Sequence, residues 1–113
     1  MKVNLGSIAS ARSGDKGNNT NIGLVFNNKK TYVWAKENIT SNLIRKFFKE
    51  IVNGNVLRYE LDNLLSLNFI LEDSLGGGGS DSLYNDAQGK SYGQAILLME
   101  INLPDELQGH INE

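Results

Sequence analysis

The 113-residue chain has no cysteine, one proline and one histidine. Without cysteine there is no disulfide, no thiolate nucleophile and no thiolate metal site. The single histidine, His110, lies in a polar stretch near the end of the chain, so the usual Ser-His-Asp and Cys-His arrangements are not on offer. Excess positive charge is missing too, since 11 Lys and Arg stand against 13 Asp and Glu. A protein that grips a polyphosphate backbone needs a basic face, so nucleic acid is not an expected partner. No apolar run approaches a membrane span or a signal peptide, which removes the membrane as a partner and makes the cytoplasm the expected compartment. Acids such as Asp15, Asp81 and Asp86 are scattered without metal-ligand spacing, so neither a metal nor another cofactor is expected.

What is present describes one folded domain. Hydrophobic residues make up 40% and charged residues 21%, as in soluble globular proteins, and the length suits one core but not two. The domain is expected over 1–104, with 105–113 as a polar tail that frays.

Two glycine-rich stretches carry the candidate chemistry. Ala11 to Gly23 reads A-R-S-G-D-K-G-N-N-T-N-I-G, with apolar segments on either side. Its glycines predict a tight loop whose backbone amides face an anion, with Arg12 and Lys16 supplying charge. Asn18, Asn19 and Asn21 would orient the ligand, and Ser13, Gly14, Asp15 and Gly17 complete this wall. The bland alternative is a polar hairpin tip. A Ser13/Lys16 nucleophile and base pair rests on proximity alone. The phosphate loops G-x-x-x-x-G-K-[ST] and G-x-G-x-x-G are absent, and a G-x-x-G RNA clamp would join helices whereas both flanks here read as strands. Gly76 to Ser80, G-G-G-G-S, is either a surface loop or a second wall, with Gly76, Gly77, Gly78, Ser80 and Asp86 as its candidate contacts.

Periodicity supplies the frame. Lys2–Ala9 and Asn21–Phe26 read as strands, able to pair as a hairpin, while Thr31–Trp34 is compatible with either a strand or a helix entry. Leu43, Ile44, Phe47, Phe48, Ile51 and Val52 form one helical stripe, which predicts a helix over 40–53 capped by Thr40 and stopped at Asn53-Gly54. Residues 55–61 alternate as a strand with one wet face. Leu64, Leu67, Leu71 and Leu75 favour a helix over 63–75, although Phe69 and Ile70 leave a strand open. Residues 82–90 predict a strand and turn, and the alternation from Gly93 to Leu103 predicts a central strand buried on both sides.

The segments 11–23, R-Y-E-L-D-N-L-L-S-L-N-F-I-L (58–71), L-G-G-G-G-S (75–80) and S-L-Y-N-D-A-Q-G-K (82–90) resemble the C-terminal domain of the AtuA-like proteins, named for acyclic terpene utilisation. The resemblance implies a ferredoxin-like fold, normally adjoining a much larger domain, in the bacterial catabolism of acids carried as coenzyme A thioesters. This chain differs in lacking the large domain and in having Asp62 where the family commonly has proline. The expectation is an α+β two-layer sandwich with a mostly antiparallel sheet and two helices on one face. Its function would be that of an accessory or substrate-binding subunit docking on a larger, separately encoded subunit. Its partners would be that subunit, further copies of itself, and an anionic small molecule such as an acyl thioester. A small autonomous enzyme working through the 12–21 loop and a structural homo-oligomer are the alternatives.

Overall fold

The computed structural model describes residues 1–49, 52, 54–73 and 92–112. The chain opens with β1 (Lys2–Asn4) and a 3-10 turn (Leu5–Ser7) that buries Leu5 and redirects the backbone. The strand expected over 2–9 is therefore broken in its middle. β2 (Ala9–Lys16) follows and pairs antiparallel with β3 (Asn19–Phe26). Between them only Gly17 and Asn18 remain as a turn, and Gly17 sits at φ +65°, the conformation that favours glycine at the first position of a two-residue hairpin loop.

Along β3 every second side chain, from Thr20 through Ile22 and Leu24 to Phe26, is buried, the mark of a strand with one face on the core. Asn28 then starts α1 (Lys29–Asn38) through a capping box with Thr31, which also decides the open choice at 31–34 in favour of helix. Thr40 caps α2 (Ser41–Phe47) as expected, accepting the Leu43 amide. The regular helix stops at Phe47, short of the expected end at 53. Beyond it the Val52 N–H donates to the Phe48 carbonyl.

β4 (Val56–Leu61) and β5 (Ser66–Leu71) form a second hairpin through a 3-10 turn (Asp62–Leu64) and Leu65 at φ 51°. Residues 66–71 are thus a strand, where the leucine spacing favoured a helix. Leu67, Phe69 and Leu71 are fully buried at period two, and β5 occupies the slot between β3 and β4. The sheet order is β2-β3-β5-β4, with every neighbouring pair antiparallel. β3 and β4 therefore run parallel, joined by a crossover through α1 and α2 that spans β5. This is the split β-α-β of a ferredoxin-like layer, with the edge beside β3 filled by β2 from earlier in the chain.

Residues 92–96 are helical, and only β6 (Glu100–Asn102) is extended, paired with β1 in a separate two-stranded ribbon. The central strand expected over 93–103 is therefore not found. Tyr92, Ile96 and Met99 are buried at helical spacing, and Tyr92 stacks on Phe48 at 5.4 Å between ring centroids. Residues 105–110 form a 3-10 helix that buries Leu107, and the Asn112 amide donates to the Ser7 carbonyl. The segment expected to fray is fastened across the start of the chain. The whole is an α+β sandwich, with helices packed on one face of the antiparallel sheet.

Candidate functional site

The second face of the sheet is left uncovered by the described helices. Cross-strand register sets its residues in rows. The middle row runs Arg12, Gly23, Asn68, Tyr59; one flanking row runs Gly14, Asn21, Ile70, Leu57, and the other Ser10, Val25, Ser66, Leu61. Leu57, Tyr59, Leu61 and Val25 are between 38% and 51% exposed, far more than strand leucines and tyrosines usually are. β4 thus turns its apolar side to solvent and its Val56, Arg58 and Glu60 side towards the helices. Bulk is graded across the face, from large side chains on β4 to glycine and serine on β2. Gly23 leaves a hollow at the centre, where an added Cβ would come no closer than 3.5 Å, to Asn68 Oδ1.

The candidate ligand residues of 12–21 fall on this hairpin, in strand instead of loop. β2 is an edge strand, so alternate amides pair with β3 and the rest point outward one by one along the edge, and they do not converge on one point as the loop expectation had them. Arg12 and Gly14 are on the open face with Asn21, while Gly17 and Asn18 form the exposed tip. Asp15 and Lys16 end β2, in register with Thr20 and Asn19. Asn19 Oδ1 accepts the Asp73 amide at 3.0 Å, tying the tip to the end of β5. Ser13 faces the helices, and its Oγ accepts the Gly93 amide at 2.7 Å. That bond gives Ser13 a structural task, and Gly93 suits it because an added Cβ would lie 2.8 Å from the same oxygen. Gly76, Gly77, Gly78, Ser80 and Asp86, with the turn expected at 86–89, lie outside the described residues.

Sequence reading missed a polar cluster between α1 and the β4–β5 connection. The Tyr32 hydroxyl donates to Asp62 Oδ1 at 2.6 Å, and Lys36 Nζ reaches the same oxygen at 3.1 Å. Lys36 also lies 3.8 Å from Glu60, whose other carboxylate oxygen takes Arg58 at 2.8 Å. Arg58 in turn donates to the carbonyls of Lys36 and Ile39 at the end of α1. Burial, and then the hydrogen bond to Asp62, push the Tyr32 phenol up to about 12. The bonds from Tyr32 and then Lys36 hold the Asp62 carboxyl below the usual carboxylate range. At neutral pH the phenol keeps its proton and the carboxylate stays ionised, the opposite of the poise that acid–base catalysis needs. The cluster acts as a latch. The signal in the sequence was Tyr32 and Lys36 one helical turn apart, visible only once 31–34 was known to be helical.

Two shallow depressions flank Val33 on the outside of α1. One, of about 330 Å³, lies beside the latch, and the other, of about 590 Å³, is bounded by Lys30, Glu106 and Leu107. Among the described residues no group of His, Asp or Glu is arranged to hold a metal ion, and no helix is long and apolar enough to cross a membrane.

The family model described as the AtuA ferredoxin-like domain matches residues 3–102. The comparisons with curated proteins and with solved structures found no match. The chain belongs to the AtuA ferredoxin-like domain family.

Proposed function

From this membership we propose that the protein is an accessory, substrate-binding subunit of a bacterial catabolic enzyme acting on acyl thioesters or carboxylic acids. It works docked on a larger, separately encoded subunit. The observation that carries the reading is the open sheet face. Small-molecule sites are concave and bury most of their ligand, whereas this face is an open strand layer that sets Leu57, Tyr59, Leu61 and Val25 in water. Exposed apolar side chains clustered along β4, with polar neighbours around them, support a contact with another protein chain. The ligand-holding part of the reading belongs to the β2–β3 hairpin, where Arg12 in mid-strand and Lys16 near the tip bring charge and Asn18, Asn19 and Asn21 bring amides.

The test is co-expression of the tagged chain with a neighbouring reading frame that encodes the large domain. The expected result is a stoichiometric complex that turns over an acyl thioester when neither component does so alone. Turnover by the purified chain alone would favour the autonomous enzyme. Failure to form the complex at micromolar concentrations would remove the docking reading.

A further inference from the structure

We propose that the open sheet face pairs with the same face of a second copy, about a two-fold axis that lies between the sheets and runs along the strands. The inference rests on the reading that this chain acts in an assembly. It assigns the open face, taken above as the mark of an assembling chain, to a second copy, so that a larger subunit would meet the pair of chains on their remaining surface.

The argument is one of register. With the axis along the strands, β2 lies over the second copy's β4, and β3 over its β5. Each row then meets itself reversed. Leu57 comes over Gly14 of the second copy, and Leu61 over Ser10, so the bulky edge of one sheet fills the shallow edge of the other. In the middle row Asn68 comes over the hollow at Gly23, and Arg12 over the face of Tyr59, a favourable cation–aromatic arrangement. A face with this gradation is complementary to itself only under that operator, since a residue and its counterpart must exchange places in an isologous contact. Two twisted sheets packed in this way keep their strands within about 30° of each other.

Size sets the strength. Strands of six to eight residues, rising about 3.3 Å per residue and spaced about 4.8 Å apart, give a face of roughly 450 Å² in projection. A standard stable interface buries about 800 Å² per partner. A face this small points to a reversible pair and not an obligate one.

Gly14 supplies the decisive variant. An added Cβ there meets nothing within 4 Å among the described residues, and its φ is not in the left-handed region. Gly14→Leu should therefore fold like the wild type, yet collide with Leu57 of the second copy. Sedimentation equilibrium on the purified chain from about 1 to 500 µM is expected to find a monomer–dimer equilibrium in the wild type. Gly14→Leu should weaken it by about tenfold or more at an unchanged unfolding transition, and adding Leu57→Ala to Gly14→Leu should recover it. Tyr59→Glu, on the same face, should abolish dimerisation, while Leu98→Asp, on the helix side, should leave it intact. A wild type that stays monomeric throughout the range overturns the proposal, as does a Gly14→Leu or Tyr59→Glu protein that dimerises like the wild type. A wild type that stays monomeric leaves the co-expression test of the larger subunit standing, and failure of that test leaves the monomer–dimer equilibrium standing, so the two readings fail separately.

Discussion

Replacing Tyr32 by Phe tests whether the polar cluster beneath the β4–β5 connection is a latch. The ring stays, with its packing against Phe26 at 6.2 Å between centroids, and only the hydroxyl and its 2.6 Å bond to Asp62 are lost. A hydrogen bond to a charged group contributes roughly 1.5–3 kcal/mol. Two features lower that figure here: the Asp62 side chain is 65% exposed, so water replaces the lost donor, and Lys36 remains on the same oxygen. The expected loss is about 1 kcal/mol, or a fall of roughly 4 °C in Tm for a domain of this length. The pH dependence carries the sharper signature. The folded-state phenol titrates at about 12 against 10.0 when unperturbed. Its contribution is therefore complete below pH 10 and disappears as the pH rises from 10 to 12. Urea unfolding of wild type and Tyr32→Phe between pH 7 and 12 should give two curves whose separation is constant below pH 10, then shrinks and reverses as the pH approaches 12, other tyrosines cancelling between the proteins. At the acid end the sign reverses. Asp62, held below its ordinary range, stabilises the fold above its unfolded value and stops doing so as the pH falls through its folded one, a limb that Asp62→Asn should lack. A Tyr32→Phe protein as stable as wild type at pH 7, or with the same alkaline profile, would refute the latch.

Gly54→Ala should destabilise by about 1–3 kcal/mol in chemical denaturation, because the new Cβ would lie 2.8 Å from the Glu72 carbonyl oxygen, a backbone atom held by pairing on both sides. Phe69→Ala, at the fully buried centre of β5, should cost about 3–5 kcal/mol and leave little of a typical 5–15 kcal/mol stability. If the hairpin end binds an acyl thioester, Lys16→Ala should weaken calorimetric binding of coenzyme A thioesters by about tenfold while barely moving Tm. Equal binding by both proteins would move the site elsewhere.

Local chemistry made part of this structure legible. Thr40 announced α2 because its hydroxyl can satisfy an orphan amide, and Ile22, Leu24 and Phe26 announced β3 because only a strand puts all three on one side. The errors arose where two periods competed. Leu64, Leu67 and Leu71 fit a helix, yet Leu67, Phe69 and Leu71 fit a strand equally well, and the vacant slot between β3 and β4, a tertiary fact, decided between them. From Ala95 to Met99 five apolar residues run together, and such a run fits either element. β2 was concealed by composition, since Ser13, Gly14 and Asp15 are poor strand formers and become extended because β3 offers a complete ladder. The open face was visible as a list of residues but not as a surface. Which side of β4 is wet depends on where α1 and α2 cross.

The position of β2 at the sheet edge also bears on how the chain is made. A split β-α-β sheet that takes its edge from the final strand cannot be completed until the last residues have left the ribosome. Here all four strands lie within residues 9–71, two of the three pairings close through local turns, and the third needs only Val25 to find Ser66. Since synthesis delivers the N-terminal part first, the sheet can assemble while the last third of the chain is still inside the tunnel. The 92–96 helix then docks on a surface already formed, and pulse-labelled hydrogen exchange should accordingly find the Ile22 and Phe69 amides protected before those of Val3 and Ile101. β1 waits longer for its partner than any strand of the four-stranded sheet, because β6 follows that sheet in the chain.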